Sequence, residues 1–209
     1  MVGAPLGVAE GQTIYTAGSP FEALYIVRTA TVVTAGIDRA GCQQILGYHG
    51  MGEIIGADGI ATGAHSCSTL VTHAGEVCRV PFDELQELAK TSPTLQRSLI
   101  RVLGRSLQSY HSRSLYLGRV SAQQRLVSFL LDLSRQQQMV GSACYHSVLY
   151  LSRVQLSSYL GIRRETLSRV VTQLRRGGVL ELAGPFVKLR NGLPLQQLIA
   201  MVSEVGERG

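Results

Sequence analysis

Between residues 152 and 176 the apolar positions fall into two helical segments. Leu156, Leu160 and Ile162 belong to a short first segment and its turn, while Leu167, Val170, Val171 and Leu174 recur at spacings of three and four in the second. That periodicity predicts two helices meeting at Gly161. Ser152 with Gln155 three residues on reads as a capping box that opens the first helix. Gly161 supplies the backbone freedom that a sharp inter-helix turn needs. With the apolar positions turned inward, the second helix presents Arg163, Arg164, Glu165, Ser168, Arg169 and Thr172 outward. The pattern is a helix-turn-helix whose second helix carries groups suited to the base edges of DNA.

Upstream, residues 11–80 form short apolar runs punctuated by glycine. Segments 12–16, 23–27, 31–37, 43–48, 67–72 and 76–80 read as strands, with turns at 17–20, 38–41, 50–52 and 73–75. Strands at this spacing predict a small β-barrel or a double-sheet roll. Residues 54–64 are glycine-rich and less regular, and Pro81-Phe82 opens a short acidic helix over 82–90.

Ser92-Pro93 begins a long helix reaching about Tyr116, with proline in the first turn, where its missing N–H does no harm. Leu95, Leu99, Leu103, Leu107, Tyr110, Ser114 and Leu117 recur at spacings of three and four. The stripe is longer than a small barrel covers, so it reads as a two-fold dimer helix with coiled-coil-like packing. A core helix of a monomer is the alternative. Residues 118–121 read as a hinge, and Ser121 with Gln124 forms a second capping box. An amphipathic helix over 125–138 turns Leu126, Phe129, Leu130 and Leu133 inward. A polar loop at 136–142 and an alternating strand at 145–151 precede the helix-turn-helix. Gly177-Gly178 stops its second helix. Segments 179–182 and 186–189 around Gly184-Pro185 read as a hairpin, which makes a winged helix, and 193–202 as a last short helix.

The charge is uneven. Residues 1–118 hold 8 Lys+Arg against 9 Asp+Glu, and residues 119–209 hold 12 against 5. All of the chain's net +6 therefore sits in the C-terminal part, which points to a polyanion partner for that part. Mean hydropathy is +0.15, yet no run of about 18 uncharged apolar residues spans a membrane. The start lacks the charged and apolar regions of a signal peptide, so a cytoplasmic location is expected. The four cysteines, Cys42, Cys67, Cys78 and Cys144, show no CxxC spacing, and the five histidines show no HExxH. Neither GxSxG nor a P-loop occurs, so no enzyme is expected. His65-x-Cys67 is a weak metal signal that a loop histidine and a core thiol explain as well.

The sum resembles the cyclic-AMP-receptor/fumarate-nitrate-regulator (CRP/FNR) family of bacterial transcription factors over nearly the whole chain. Residues 160–169 carry the most specific part, where Glu165, Thr166 and Arg169 match the family's Glu–Thr–apolar–x–Arg pattern. Residues 47–60, 75–82 and Ser168 are similar to the oxygen-sensing FNR branch. The resemblance implies an α+β fold: an N-terminal double-stranded β-roll of the cyclic-nucleotide-binding kind over 1–91, a dimerisation helix and hinge over 92–118, and a C-terminal winged helix-turn-helix over 119–209. It implies a homodimer that reads double-stranded DNA at a palindrome of TGA-containing half-sites, in anaerobic or redox-linked control, with RNA polymerase as a further partner. The 38–41 turn is similar to the surface by which relatives touch that polymerase; a solvated turn explains it equally.

The resemblance also assigns roles. Base contacts fall to Arg164, Glu165, Ser168 and Arg169, and phosphate contacts to Ser152, Arg153, Arg163, Arg175 and Arg176. The dimer helix would use Leu95, Leu99, Leu103, Leu107 and Tyr110. The nucleotide-binding branch holds its cyclic phosphate with an Arg, and the equivalent stretch here, residues 63–67, has neither Arg nor Lys. Cyclic nucleotide binding is therefore not expected. Cys78 occupies the position of one [4Fe–4S] ligand of the oxygen-sensing branch, whose other three cysteines lie upstream. The expectation is a cluster-free protein, or a sequence that lacks a cysteine-bearing N-terminal segment. A small-molecule-gated or haem-gated regulator of the same fold is the rival reading, with His49 or His111 as conceivable haem ligands.

Overall fold

The computed structural model describes residues 3–38, 41–119, 121–139, 147–183 and 186–189. The chain divides into two compact units, Met1–Arg113 and Ser114–Gly209.

In the first unit, β1 (Ala4–Val8), β7 (Gly75–Pro81), β2 (Ala23–Val27) and β5 (Ile54–Ile55) form one sheet in the order β1-β7-β2-β5, while β4 (Gln43–His49), β3 (Thr31–Ile37) and β6 (Ser68–His73) form a second in the order β4-β3-β6. Every pairing is antiparallel. The core between the sheets draws Val8, Val27, Ile55 and Val77 from the first, Val32 and Val71 from the second, and Tyr15 and Cys67 from the connections. Because side chains alternate along a strand, Leu24 and Ile26 of β2 and Cys78 and Val80 of β7 face the other way. There they pack with Leu85 of α1 (Phe82–Thr91) and with Leu95 and Leu99 of α2 (Pro93–Arg119). β2 is thus covered on both faces, which is why Ala23–Val27 reads as a continuous apolar run.

The segment 12–16 forms no strand, contrary to the sequence expectation. Gly11 and Gly18, both at φ 82°, bracket it. The Thr69 and Val71 amides donate to the carbonyls of Tyr15 (3.0 Å) and Gln12 (2.8 Å), but Thr69 Oγ1 accepts from the amides of Ile14 (2.9 Å) and Tyr15 (3.1 Å), so a side chain replaces part of the backbone ladder. In its stead β1 pairs with β7 in the register Pro5↔Cys78.

In the second unit, α3 (Ala122–Met139) continues through the first part of the expected polar loop. α4 (Arg153–Leu160) and α5 (Arg164–Arg176) pack on α3, with Leu126, Val127, Leu130, Leu133, Leu156, Leu160, Leu167, Val170, Val171 and Leu174 all buried. Each such side chain contributes about 1.5–3 kcal/mol on burial. β8 (Ser147–Val148), β10 (Phe186–Leu189) and β9 (Leu180–Ala183) make a three-stranded antiparallel wing in the order β8-β10-β9. The expected strand at 145–151 is thereby confined to two residues among those described. Cys144, His146, Gly184-Pro185 and the expected helix at 193–202 lie outside the described residues.

Candidate nucleic-acid interface

The helix-turn-helix is built by its caps. Ser152 Oγ accepts from the Gln155 amide at 3.2 Å, and Gln155 Oε1 accepts from the Ser152 amide at 2.8 Å. Both halves of the capping box are thus formed. Gly161 takes φ 63° and ψ 39° and ends α4 in a left-handed cap. A side chain there would carry the strain that L-residues pay in this region. Arg163 leads into α5 in extended conformation and gives it no side-chain cap.

On α5 the buried Leu167, Val170, Val171 and Leu174 leave Arg164, Glu165, Ser168, Arg169 and Thr172 exposed on the opposite side. Ser152, Arg153, Arg163, Arg175 and Arg176 are exposed around them. Among the described residues, Glu165 and Arg169 form no ion pair with each other or with any other side chain. The guanidinium of Arg169 is therefore not committed to an intrahelical partner.

On α2 the apolar stripe divides. Leu95 and Leu99, expected on the dimer seam, pack on the roll's own cluster with Leu24, Val80 and Leu85. At about 100° per residue, the next face of the helix carries Leu103, Leu107, Tyr110 and Ile100. The last of these is 63% exposed and was not singled out by the sequence reading. Its signal was there: Ile100, Leu103, Leu107 and Tyr110 follow one another at three, four and three, the coiled-coil spacing.

Inside the first unit lies a cavity of about 390 Å³, lined by Tyr15, Thr34, Asp58, Cys67, Leu103 and Tyr110 among others. The ring of Tyr15, only 7% exposed, stacks on His65 at 3.8 Å. Its hydroxyl lies near the Gly56 backbone and the Cys67 thiol but makes no well-formed hydrogen bond. Burial, followed by the nearby Cys67 and Asp58, pushes the Tyr15 phenol far above its ordinary range. Burial and the Asp58 carboxylate likewise push the Cys67 thiol up to about 12.

Asp58 is the hub of this wall; it lies in the 47–60 stretch that resembles the oxygen-sensing branch, but no spacing there points to a role for it. Its Oδ2 accepts from the Ser66 amide (2.7 Å), the Ser66 hydroxyl (3.2 Å), the Cys67 amide (3.3 Å) and the Cys67 thiol (3.4 Å), and its Oδ1 lies 3.4 Å from His65 Nδ1. Burial disfavours its charge, but the bonds from Ser66, His65 and Cys67 prevail and hold its carboxyl below the ordinary value. Asp58→Ala leaves the buried Cys67 amide and thiol and the buried His65 ring without this acceptor and costs about 1–3 kcal/mol at pH 7. A carboxyl whose folded pKa is lowered stabilises the fold fully above about pH 4 and loses that contribution as pH falls through the folded value. The gap between wild type and variant in urea melts should accordingly be constant from pH 7 down to about pH 4 and narrow as pH falls further.

Among the described residues the candidate cofactor positions bring together no complete ligand set. Cys78 is half-buried among Leu24, Ile26, Val80 and Leu85, and a Cβ on Gly3 would stand 2.5 Å from its sulfur. Among the described residues no three His, Cys, Asp or Glu side chains form a metal-binding group. One thiol turned into an apolar cluster does not hold a [4Fe–4S] centre. His65 and Cys67 both face Asp58 rather than a shared vacancy. For haem, His49 has both ring nitrogens engaged, Nε2 3.1 Å from Thr34 Oγ1 and Nδ1 3.6 Å from Glu53, while His111 is exposed.

Comparison with known proteins agrees with this architecture. Residues 6–92 match the cyclic nucleotide-binding domain, and residues 124–197 match the Crp-like helix-turn-helix domain. The chain is 33% identical over 196 residues to the transcriptional regulatory protein btr of Bordetella pertussis, covering 94% of this chain and 81% of that protein. It is 29% identical over 198 residues to the fumarate nitrate reduction regulatory protein of Klebsiella oxytoca, covering 95% and 79%. The structure of FixK2 from Bradyrhizobium japonicum superposes with a TM-score of 0.85 at 26% identity, over 96% of this chain and 98% of that one. With both domain types in family order, on a roll, a long helix and a winged helix-turn-helix, the chain belongs to the CRP/FNR family of transcription regulators.

Proposed function

We propose that this regulator binds, as a homodimer, a palindromic DNA site with TGA in each half, and acts in anaerobic or redox-linked gene control together with RNA polymerase in the cytoplasm. The supporting observation is the exposed face of α5, where Arg164, Glu165, Ser168 and Arg169 stand opposite a fully buried apolar face. Arg169 offers two parallel donors that match guanine O6 and N7, and Glu165, one turn earlier, accepts from cytosine N4. Ser168 is short enough to meet a thymine methyl. Arg164 contacts a base or a phosphate. The Ser152 hydroxyl accepts its capping bond and keeps its proton for a phosphate oxygen, and Arg153, Arg163, Arg175 and Arg176 complete the backbone grip. Among the described residues no helix is long and apolar enough to cross a membrane. The relatives named fumarate nitrate reduction regulators motivate the anaerobic reading.

Titration of a labelled duplex across a range of salt tests the interface. Arg175→Ala should weaken specific and scrambled duplexes alike and flatten the salt slope by about one per subunit. An unchanged slope removes Arg175 from the phosphate set.

The cavity favours a second reading, a regulator gated by a small molecule bound in the roll. A buried phenol without a well-formed hydrogen bond leaves polar capacity for a guest. Among the described residues the wall carries the Asp58 carboxylate and no Lys or Arg, and that carboxylate already takes the Ser66 and Cys67 amides. The chemistry suits a neutral or cationic guest rather than a phosphate. Screening neutral, cationic and anionic fragments by thermal shift should give hits in the first two classes that Tyr15→Phe weakens about tenfold; hits confined to anions would refute it.

A further inference from the structure

We infer that Arg125 and Gln123, in the first turn of α3, are positioning residues for sequence reading that act at two points: Arg125 holds the turn that leads into the recognition helix α5, and Gln123 holds α5 itself. The inference rests on the proposed reading of α5 and names what aims it.

The carbonyls at the end of α4 show the first point. A helix leaves its last carbonyls without intrahelical partners. At the α4 end, the amides of Gly161 and Ile162 take up the carbonyls of Ser158 and Ser157. The carbonyls of Leu160 and Gly161 are taken up from another helix: Arg125 Nη1 donates to Leu160 O at 3.2 Å and to Gly161 O at 3.4 Å. A guanidinium at a helix C-terminus also complements the negative end of its dipole. Arg125 thus clamps the turn that launches α5, and α5 has no side-chain cap of its own to fix its start.

The second point lies further along α5. Gln123 Nε2 donates to Gln173 Oε1 at 2.8 Å. Gln173 sits one turn beyond Arg169. The two ties therefore bracket the base-reading residues, one at the turn before Arg164 and one just after Arg169. Both arise from a single turn of α3, itself fixed by a capping box in which Ser121 N donates to Gln124 Oε1 (3.0 Å) and Gln124 N to Ser121 Oγ (3.3 Å).

The apolar interface of α5 supplies most of its stability, but apolar contact is non-directional. The hydrogen bonds are directional, and bidentate readout by Arg169 tolerates only about 0.5 Å of misplacement. Loss of a tie should therefore appear in discrimination between sequences before it appears in general affinity for DNA.

The test uses the full chain, with anisotropy titrations on a duplex bearing two TGA half-sites and on a scrambled duplex of equal length, at several salt concentrations. Arg125→Ala should lower the ratio of specific to non-specific affinity about tenfold and Gln123→Ala about threefold, with scrambled-duplex affinity and salt slope unchanged. Arg125→Lys should recover part of the ratio, because an ammonium reaches one of the two carbonyls. Equal loss on both duplexes makes the ties merely structural and overturns the inference, as does a salt slope reduced by one per subunit, which would make Arg125 a phosphate contact. Should Arg125→Ala not fold, the Gln123 and Gln173 tie decides: Gln173→Ala must lower the ratio as Gln123→Ala does, and the double variant no further. Variants that discriminate as well as wild type sink this inference alone; a wild type with no TGA preference sinks the proposed reading and this inference with it.

Discussion

Arg169→Ala should weaken binding to the palindromic site by about 2–6 kcal/mol per dimer, the sum of about 1–3 kcal/mol at each half-site. That is about 30-fold to 10⁴-fold. The side chain is exposed and, among the described residues, has no ion-pair partner, so its removal leaves no buried group stranded. Thermal stability should stay within about 0.5 kcal/mol of wild type, as for ordinary surface positions. The loss has to come from the guanine it no longer contacts. A matched series of duplexes with each base of TGA replaced in turn supplies the check. Wild type should penalise replacement of the guanine by about 1–3 kcal/mol, and the variant should be indifferent at that base while still discriminating at the others. A variant that keeps the wild-type penalty at the guanine removes Arg169 from base readout.

Ile100→Asp should convert the protein to monomers and reduce specific DNA affinity by about 10³-fold or more, towards its non-specific level. Two half-sites engaged by one body bind far more tightly than either alone, because the second contact becomes intramolecular. A carboxylate at 63% exposure costs the isolated chain little, whereas in the proposed homodimer it would meet its own copy across the two-fold axis, and like charges on a seam repel. Leu103→Asp is the poorer probe, since Leu103 also lines the cavity and a loss there has two explanations. Sedimentation velocity reads the outcome directly. A dimer of undiminished affinity in Ile100→Asp would move the two-fold contact off this face of α2.

Elements marked by local chemistry were legible in the sequence. The Ser152/Gln155 box, the left-handed Gly161 and the three-four spacing from Leu167 to Leu174 each depend on neighbours a few residues away, and each stands in the structure as expected. What escaped depends on distant partners. β1 is an edge strand whose first four residues are exposed and whose sequence holds a proline and a glycine; its alternation is absent because only Val8 reaches the core. Leu95 and Leu99 repeat at the same spacing as the seam, and only the presence of Leu24 and Val80 beneath them assigns them to the roll. Asp58 looks like a loop carboxylate until the chain returns 8 and 9 residues later with the Ser66 and Cys67 donors. Arg125 and Gln123 read as the polar start of an amphipathic helix, because the groups they hold lie 35 and 50 residues downstream.

Leu95 and Leu99 fasten the opening turns of α2 to the outer side of the roll's first sheet. Those turns consequently travel with the barrel as one lever, and Ile100 is the next residue along it. Any repacking beneath the two leucines, from whatever cause, reaches Ile100 as a twist of the helix about its own axis. An azimuth change of a few tens of degrees would alter which side chains of α2 face the second copy in the proposed homodimer, which would tie the packing on the roll's outer face to how tightly two chains associate.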